Sequence, residues 1–278
     1  IADIMASWNR PTDILSSYLI ETTGVSMREL DKESDSYLVD RTADITRMKG
    51  TGTWTVASGL ELLVPIPTIA ASVFSREMSQ DKDLRLEMSE KLKPRPSRYS
   101  GDPGQFVDTI HDGLYIAKIS SYAQGFALLA AASARYGWKL DMGAIAQGWR
   151  AGCIIRAQFL SRITEEYEAN PDLSNLMAAP TFFGFINDNL SKLARFIEVS
   201  HSVGVPTLAM GCAYDYILQM ASPIMVSAQA AAQQRDYFGA HGYFKLEEDG
   251  PGMLLKKDGP YQEYHTEWME DGHPEKKI

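Results

Sequence analysis

Four consecutive residues, Lys49-Gly50-Thr51-Gly52, have the composition of a site for an oxyanion. The lysine supplies a cation and the threonine a hydroxyl donor, while the two glycines let the backbone approach a ligand closely. Successive backbone N–H groups in such a turn can wrap a phosphate group. A solvated surface loop has the same composition, so these residues alone leave both interpretations open.

A second cation, Arg76, lies in the otherwise apolar stretch ASVFSREMS. The pattern predicts a helix, and an arginine on a buried apolar face needs an acidic partner or an anionic ligand, because an unpaired buried charge is costly. A salt bridge is the more common outcome for a single residue of this kind. We therefore expect a salt bridge from Arg76 and keep anion binding as the alternative.

Two further side chains, Arg235 and His241, lie in the stretch QQRDYFGAH, which follows an alanine-rich segment predicted to be a packed helix. The guanidinium of Arg235 offers a planar fork for phosphate or carboxylate, and His241 can donate or accept a hydrogen bond near neutral pH. Gly239 permits a sharp exit that would turn His241 back toward Arg235. An ordinary helix end with a favourably placed cation is the alternative.

Signatures of catalysis and metal binding are missing from the sequence. The five histidines are scattered and have no cysteine pairs beside them, so no metal site is predicted. The sequence has no Ser/His/Asp motif, P-loop, CxxC or HExxH, and no GxGxxG that follows a predicted strand. No catalytic residue is predicted, and no cofactor-binding residue can be assigned.

The overall charge argues against nucleic acid as a partner. The 278 residues include 27 basic and 36 acidic side chains, a formal net charge of −9, whereas nucleic-acid-binding proteins usually carry a basic patch. No apolar run is long enough to span a bilayer, so no membrane partner is expected. Cys153 and Cys212 lie among apolar residues and are predicted to be buried thiols, which indicates a reducing, cytoplasmic location.

Helical periodicity dominates the chain. The pattern predicts helices over residues 13–30, 35–45, 56–63, 68–76, 106–136, 141–167, 181–202, 207–220 and 223–238. Thr68 and Asp141 are predicted N-caps, whereas residues 50–54 and 93–105 are predicted loops. Strand patterns are nearly absent. We therefore predict an all-α fold, with one large multi-helix domain over residues 1–245 and an irregular C-terminal tail over residues 246–278.

Several blocks of sequence together resemble 6-phosphogluconate dehydrogenase, the decarboxylating enzyme. These blocks are YLVDRTADITRMKGTGTWT, GLELLVPIPTIAASVFSREMS, AKISSYAQGFALL, YGWKLDMGAIAQGWRAGCIIRAQFL, GVPTLAMGCAYDYILQMASP and QQRDYFGAHGYF, in the family's order. They cover most of residues 10–245, and the tail segment YHTEW is similar to the family's HTxW. The resemblance implies an all-helical C-terminal domain, a homodimer, and oxidation of 6-phosphogluconate by NADP with decarboxylation to ribulose 5-phosphate in the pentose phosphate pathway.

The resemblance also implies a role for each cationic candidate. It implies that Lys49, Thr51 and Arg76 bind the substrate phosphate, and that Arg235 and His241 reach into the site of the neighbouring subunit. An N-terminal Rossmann domain for NADP and a helix with the acid/base residues are expected before Ile1. We therefore expect the isolated chain to supply the phosphate site and dimer interface but neither to bind NADP tightly nor to turn over substrate.

Two other interpretations remain open. The chain could be a non-catalytic helical dimerisation or phosphosugar-binding module derived from the same family, which a coding start near Ile1 would favour. It could also belong to a related β-hydroxyacid dehydrogenase with another substrate. That enzyme would have a smaller acid-binding site and no joint use of Lys49, Arg76 and Arg235.

Overall fold

The structure, a computed structural model, describes residues 1–93, 96–247, 252–254 and 261–278. The helices in these residues are α1 (Ala2–Trp8), α2 (Tyr18–Ser26), α3 (Leu38–Arg41), α4 (Thr51–Glu61), α5 (Pro67–Gln80), α6 (Lys82–Leu92), α7 (Pro103–Tyr136), α8 (Met142–Gly148), α9 (Phe159–Ala169), α10 (Pro180–Ser202), α11 (Leu208–Met220) and α12 (Val226–Gly239). A short 3-10 helix spans Leu176–Ala178. The all-α expectation is confirmed. None of the described helices is both long and apolar enough to cross a membrane.

A small antiparallel sheet accompanies the helices. Its strands β1 (Tyr243–Phe244), β2 (Glu263–Thr266) and β3 (Glu275–Lys277) are hydrogen-bonded in that order. Two of them lie in the tail that we expected to be irregular, so its described residues are partly regular. Strands of two to four residues are too short to show the alternation by which a strand is recognised. Tail residues 248–251 and 255–260, and residues 94–95 of the predicted loop, lie outside the described residues.

The chain divides into two compact units, Ile1–Tyr216 and Ile217–Ile278, and the boundary falls within α11. The first unit contains α1 to α10, and the second contains α12 and the sheet. The predicted domain boundary between residues 245 and 246 was placed where the amino-acid composition changes, and it does not coincide with the boundary between the compact units. The division into domains stays a prediction.

The core of the first unit is built around α7, which packs against α10. The Asp102 carboxylate caps the start of α7 by accepting a hydrogen bond from the N–H of Gln105 at 2.8 Å, and the helix ends at Gly137. These are ordinary start and stop signals, and they confirm the helix predicted over residues 106–136. The large side chains that are buried most completely are Tyr115, Phe126, Phe159, Phe182, Leu15, Ile116, Ile119, Leu160, Ile163, Leu176 and Leu193.

A buried amide ties α5 to α7. The Gln124 side chain accepts from the N–H of Thr68 at 2.9 Å and donates to the hydroxyls of Thr68 at 2.8 Å and Ser120 at 3.0 Å. The prediction that Thr68 caps this helix is wrong, because α5 starts one residue earlier at Pro67, whose missing N–H suits the first helical position. The contacts of Gln124 satisfy buried polar groups and hold the start of α5 in place.

The helix predicted over residues 141–167 is wrong as a continuous element. Asp141 does cap α8, as predicted, but residues 149–158 separate α8 from α9. This connection pairs with the chain near residue 17 instead, since the N–H of Tyr18 donates to the carbonyl of Arg156 at 3.1 Å and the N–H of Gln158 donates to that of Ser16 at 3.2 Å. These long-range bonds compete with helix formation and leave no trace in local periodicity.

The cysteine prediction also needs correction. Cys153 lies in the connection between α8 and α9, and Cys212 lies in α11. Both are free thiols but only partly buried. Apolar neighbours in sequence indicate burial only where the local element is regular, and the segment around Cys153 is not.

Candidate anion-binding site

The stretch Lys49-Gly50-Thr51-Gly52 leads into a helix rather than forming a loop. The first helical residue of α4 is Thr51, and the N–H of Trp54 donates to the carbonyl of Gly50 at 3.0 Å. Gly50 precedes the helix with a φ of 97°, in the region that favours glycine. The loop predicted over residues 50–54 is therefore wrong, because the packing of α4 outweighs the low helix propensity of glycine and threonine.

Close packing against α5 determines where α4 begins. A Cβ atom at Gly52 would lie only 2.9 Å from the Cγ2 of Val73, so this position has no room for a side chain. Val73 is buried in α5, and Arg76 follows it three residues later, on a neighbouring position of the helix surface. The start of α4 and the arginine of α5 are thereby brought to the same region.

Arg76 is exposed, and its Nη2 donates to the backbone carbonyl of Arg47 at 2.5 Å. In the part of the chain that the structure describes, Arg76 has no ion pair with an acidic side chain. The predicted salt bridge is therefore wrong. Ala71 and Val73 occupy the buried face of α5, while Arg76 lies in water, where no acidic partner is required.

The segment that precedes α4 is fastened to its neighbours by polar contacts. The N–H of Thr46 donates to Ser79 Oγ at 3.0 Å, and the two hydroxyls lie 2.8 Å apart. Asp44 accepts from Arg85 Nη1 at 2.7 Å and from Lys82 Nζ at 2.8 Å. The hydrogen bonds from Arg85 and Lys82 hold the pKa of Asp44 well below its ordinary value. The segment is thus anchored to α5 and α6 just before the lysine.

This arrangement has the chemistry to bind a phosphate dianion. Lys49 is exposed, and its Cα lies within about 7 Å of the Cα of Arg47, whose carbonyl holds Arg76. The first N–H groups of a helix have no partner within it and favour negative charge. Thr51 adds a hydroxyl, and Arg76 has guanidinium donors beyond the one that the Arg47 carbonyl uses. The carbonyl that holds Arg76, together with Lys49 and Thr51, therefore belongs to one five-residue segment, 47–51.

An apolar cavity of about 630 Å³ continues from this helix start, between α4 and α7. Thr51 and Trp54 line it on one side, and Phe126 and Tyr136 on the other. Trp54 is 68% exposed, and the cavity lining also includes Thr55 and Ser58 of the same helix. A surface of this kind is typical of a site that another protein surface covers.

A buried carboxylate organises the second unit. Asp236 is fully buried in α12 and accepts four hydrogen bonds. Its Oδ1 accepts from the N–H of Gly242 at 3.0 Å and faces His265 Nδ1 at 2.8 Å, while Oδ2 accepts from the N–H of Thr266 at 3.0 Å and Trp268 Nε1 at 2.9 Å. Burial acts to raise the pKa of Asp236, but the four donors outweigh it and lower the pKa to about 2.

The hydrogen bonds of Asp236 join two stretches of the second unit that are distant in sequence. Asp236 lies in QQRDYFGAH, and its partners His265, Thr266 and Trp268 belong to YHTEW. Sequence reasoning missed Asp236, because an acidic residue between an arginine and a tyrosine looks like an ordinary surface residue. The only local indication of a structural role for Asp236 was its position directly after the candidate ligand Arg235.

Arg235 and His241 lie on either side of the end of α12, in the second unit. Both are exposed, and Arg235 has no ion pair among the described residues. The ring of His241 folds back on the helix end, so that a Cβ at Gly239 would lie 2.7 Å from its Nε2. The reversal itself occurs at Ala240, with φ 46°, rather than at Gly239 as predicted. The alanine-rich segment before Arg235, predicted to be packed, is exposed in this chain.

Comparisons with known proteins identify the family to which the chain is similar. The profile of the family "6-phosphogluconate dehydrogenase, C-terminal domain" matches residues 1–268. The chain is 39% identical over 272 residues to 6-phosphogluconate dehydrogenase, decarboxylating, from Shigella flexneri, covering 97% of this chain and 54% of that protein. The corresponding protein of Synechocystis is 38% identical over 268 residues, covering 96% of this chain and 53% of that protein. The chain thus spans about half the length of these curated relatives.

A solved structure is also similar. It is the Plasmodium falciparum 6-phosphogluconate dehydrogenase, determined in its apo form, with its cofactor NADP+ and with its substrate 6-phosphogluconate. Its TM-score to this chain is 0.86 at 33% sequence identity, with 96% of this chain and 54% of that chain covered.

Proposed function

The chain belongs to the family of 6-phosphogluconate dehydrogenase C-terminal domains, and on that premise we propose that it supplies the substrate-phosphate site and the dimer interface of a decarboxylating 6-phosphogluconate dehydrogenase. The reaction is oxidation of 6-phosphogluconate, with reduction of NADP and loss of CO2, to ribulose 5-phosphate. Free thiols at Cys153 and Cys212 suit the reducing cytoplasm in which we expect it to work.

The observation that carries the proposal is the convergence of Lys49, Thr51 and Arg76. Lys49 and Thr51 lie at the start of α4, and Arg76 is hydrogen-bonded to the carbonyl two residues before Lys49. No acidic side chain forms an ion pair with either cation in the described part of the chain. Charge-assisted hydrogen bonds to a phosphate are shorter and stronger than neutral ones, so such a cluster concentrates affinity for an anion within a protein of net charge −9.

We assign the role of this chain to binding and orientation. Holding the phosphate end would place the sugar acid at a fixed distance from groups that act on its carbon atoms, which reduces the entropic cost of reaction. The described residues do not fit NADP, because their sheet is antiparallel and has no strand–turn–helix unit with a glycine fingerprint. We propose that NADP and the acid/base residues are provided mainly outside these 278 residues.

Arg235 and His241 are proposed to complete the site of a second subunit. The proposal is supported by exposed aromatic side chains next to them in the chain, Tyr237 at 55% and Phe238 at 66% exposure. The apolar cavity beside Thr51 supports it from the first unit. In a twofold-symmetric dimer, each site would take Arg76 from one subunit and Arg235 from the other.

The assay that tests the function follows NADPH absorbance and CO2 release in the natural full-length protein. We expect turnover with 6-phosphogluconate and little with gluconate, and none from the 278-residue chain alone. Absence of turnover with 6-phosphogluconate, or turnover by the isolated chain, would contradict the assignment. Tight binding of 6-phosphogluconate without any turnover by the full-length protein would favour a non-catalytic phosphosugar-binding module instead.

Co-expression of two full-length variants, Arg76→Ala and Arg235→Ala, tests the contribution across the dimer. About half of randomly paired dimers are mixed. If Arg235 acts in the neighbouring subunit, one site of each mixed dimer carries both changes and the other carries neither. Activity should then recover to roughly a quarter of the wild-type value by this symmetry.

Differential tags on the two variants confirm that mixed dimers form. If Arg235 serves its own subunit, every site carries one change. Activity that stays at the level of the single variants despite mixed dimers would therefore rule out the exchange.

A further inference from the structure

Arg47 lies beside the candidate phosphate site but is not among the residues to which the resemblance assigns a role. Its backbone carbonyl accepts the hydrogen bond from Arg76 Nη2 at 2.5 Å. It precedes Lys49 by two residues, and its side chain is exposed. A third cationic side chain therefore originates where the other two converge.

The segment that carries Arg47 is held in place by its neighbours. The hydroxyl of Thr46 is hydrogen-bonded to α5. Arg47 and Lys49 are exposed, and Met48 between them is partly buried. The side chains of Arg47 and Lys49 are therefore both accessible to a ligand next to the carbonyl that holds Arg76.

Among the residues that the structure describes, the positive charges of Arg47, Lys49 and Arg76 are not balanced by ion pairs. Arg47 has no ion pair with an acidic side chain in the described ranges of the chain, and the same holds for Lys49 and Arg76. Asp44, the acidic residue that most closely precedes Arg47 in sequence, already forms ion pairs with Lys82 and Arg85. Like charges that lie close together repel each other, whereas a bound phosphate dianion attracts every cation beside it.

We propose that Arg47 binds the phosphate group of the substrate together with Lys49 and Arg76, and so increases the selectivity of the site for phosphorylated over unphosphorylated sugar acids. This inference rests on the proposed function, because it assumes that the phosphate lies at the start of α4. Arg47 is a specificity residue in this scheme. Its backbone also positions Arg76, and a substitution of its side chain leaves that carbonyl in place.

The test compares dissociation constants by calorimetry in the full-length protein, with 6-phosphogluconate and gluconate as ligands. Arg47→Ala should weaken 6-phosphogluconate binding about three- to tenfold, as expected for one partly screened contact between unit charges, with gluconate unchanged. Arg47→Lys should retain most of the affinity, since the charge is kept. Arg195→Ala is the matched control, because it removes the same charge from an exposed ion pair with Glu198 on α10.

Comparison with Arg76→Ala distinguishes a failure of the Arg47 inference from a failure of the proposed phosphate site. If Arg76→Ala weakens 6-phosphogluconate binding and Arg47→Ala does not, the inference about Arg47 is overturned while the proposed site stands. If neither change has an effect, the proposed site fails as well. An equal loss for both ligands, or an equal loss in Arg195→Ala, would show a general change in charge or fold and would also overturn the inference. The unfolding midpoint of Arg47→Ala should match that of the wild type.

Discussion

Replacing Arg76 by alanine is expected to weaken binding of 6-phosphogluconate by about 10- to 150-fold in the full-length protein. This range corresponds to the roughly 1.5–3 kcal/mol of one hydrogen bond to a charged group. Arg76 donates one hydrogen bond, from Nη2 to the Arg47 carbonyl, and a guanidinium has further N–H donors with which to bind a ligand. The expected signature is a raised KM for 6-phosphogluconate.

Two comparisons make this result specific. Gluconate, which lacks the phosphate, should be affected much less by the same substitution. Arg76→Lys should recover only part of the affinity, because an ammonium group keeps the charge but loses the planar fork that binds two oxygens at once. Equal losses for gluconate and 6-phosphogluconate would remove Arg76 from the phosphate site.

Replacing Asp236 by asparagine is expected to destabilise the second unit by about 3–5 kcal/mol, the usual cost of removing one partner from a buried charged cluster. The asparagine amide would present N–H groups to two donors that now bond a carboxylate oxygen. Hydrogen exchange at residues 240–246 and 261–268 and the fluorescence of Trp268 report the loss locally. Since Arg235 is adjacent to Asp236, we also expect weaker 6-phosphogluconate binding.

Asp271→Asn is the matched control, since Asp271 is an exposed aspartate of the same unit. It should leave exchange and fluorescence unchanged. An Asp236→Asn variant with wild-type exchange rates in both segments would show that the four hydrogen bonds do not stabilise the unit.

Lowering the pH should destabilise the second unit of the wild-type chain, as the Asp236→Asn substitution does. The pKa of Asp236 is lowered from 3.8 to about 2 by its four donors acting against burial. A carboxylate with a lower pKa in the folded state stabilises the fold above its unfolded pKa, and the contribution is lost as the pH falls through the folded pKa. Protection of residues 261–268 should therefore fall between pH 3.8 and about pH 2, and this step should be absent in Asp236→Asn.

Local patterns were sufficient for the long helices. Those predicted over residues 106–136 and 181–202 are observed as α7 and α10, because each has a long apolar periodic pattern and clear terminal signals. The patterns failed where a distant segment competes for the backbone. Residues 149–158 leave the helix because residues 16–18 supply hydrogen bonds, and a window of neighbouring residues carries no information about such a partner.

For the candidate site, too, the sequence predicted some features and distant contacts determined others. Residue type and order identified Lys49, Thr51, Arg76, Arg235 and His241 as the cations and hydroxyl to consider, and resemblance related them to a phosphate. Their roles as substrate ligands remain predictions. Whether Arg76 forms a salt bridge could not be decided from the stretch ASVFSREMS, because the answer depends on which face of α5 the rest of the chain covers.

Sequence alone determined the all-α class, the family and the set of candidate ligands, since these depend on composition, periodicity and the order of motifs. Only the tertiary structure decided that KGTG leads into a helix, that the Arg47 carbonyl holds Arg76, and that Asp236 joins QQRDYFGAH to YHTEW. Each depends on contacts between residues about 20 to 32 positions apart, such as Gly52 with Val73 and Asp236 with Trp268. Packing and hydrogen bonding across such separations are set by the folded chain as a whole.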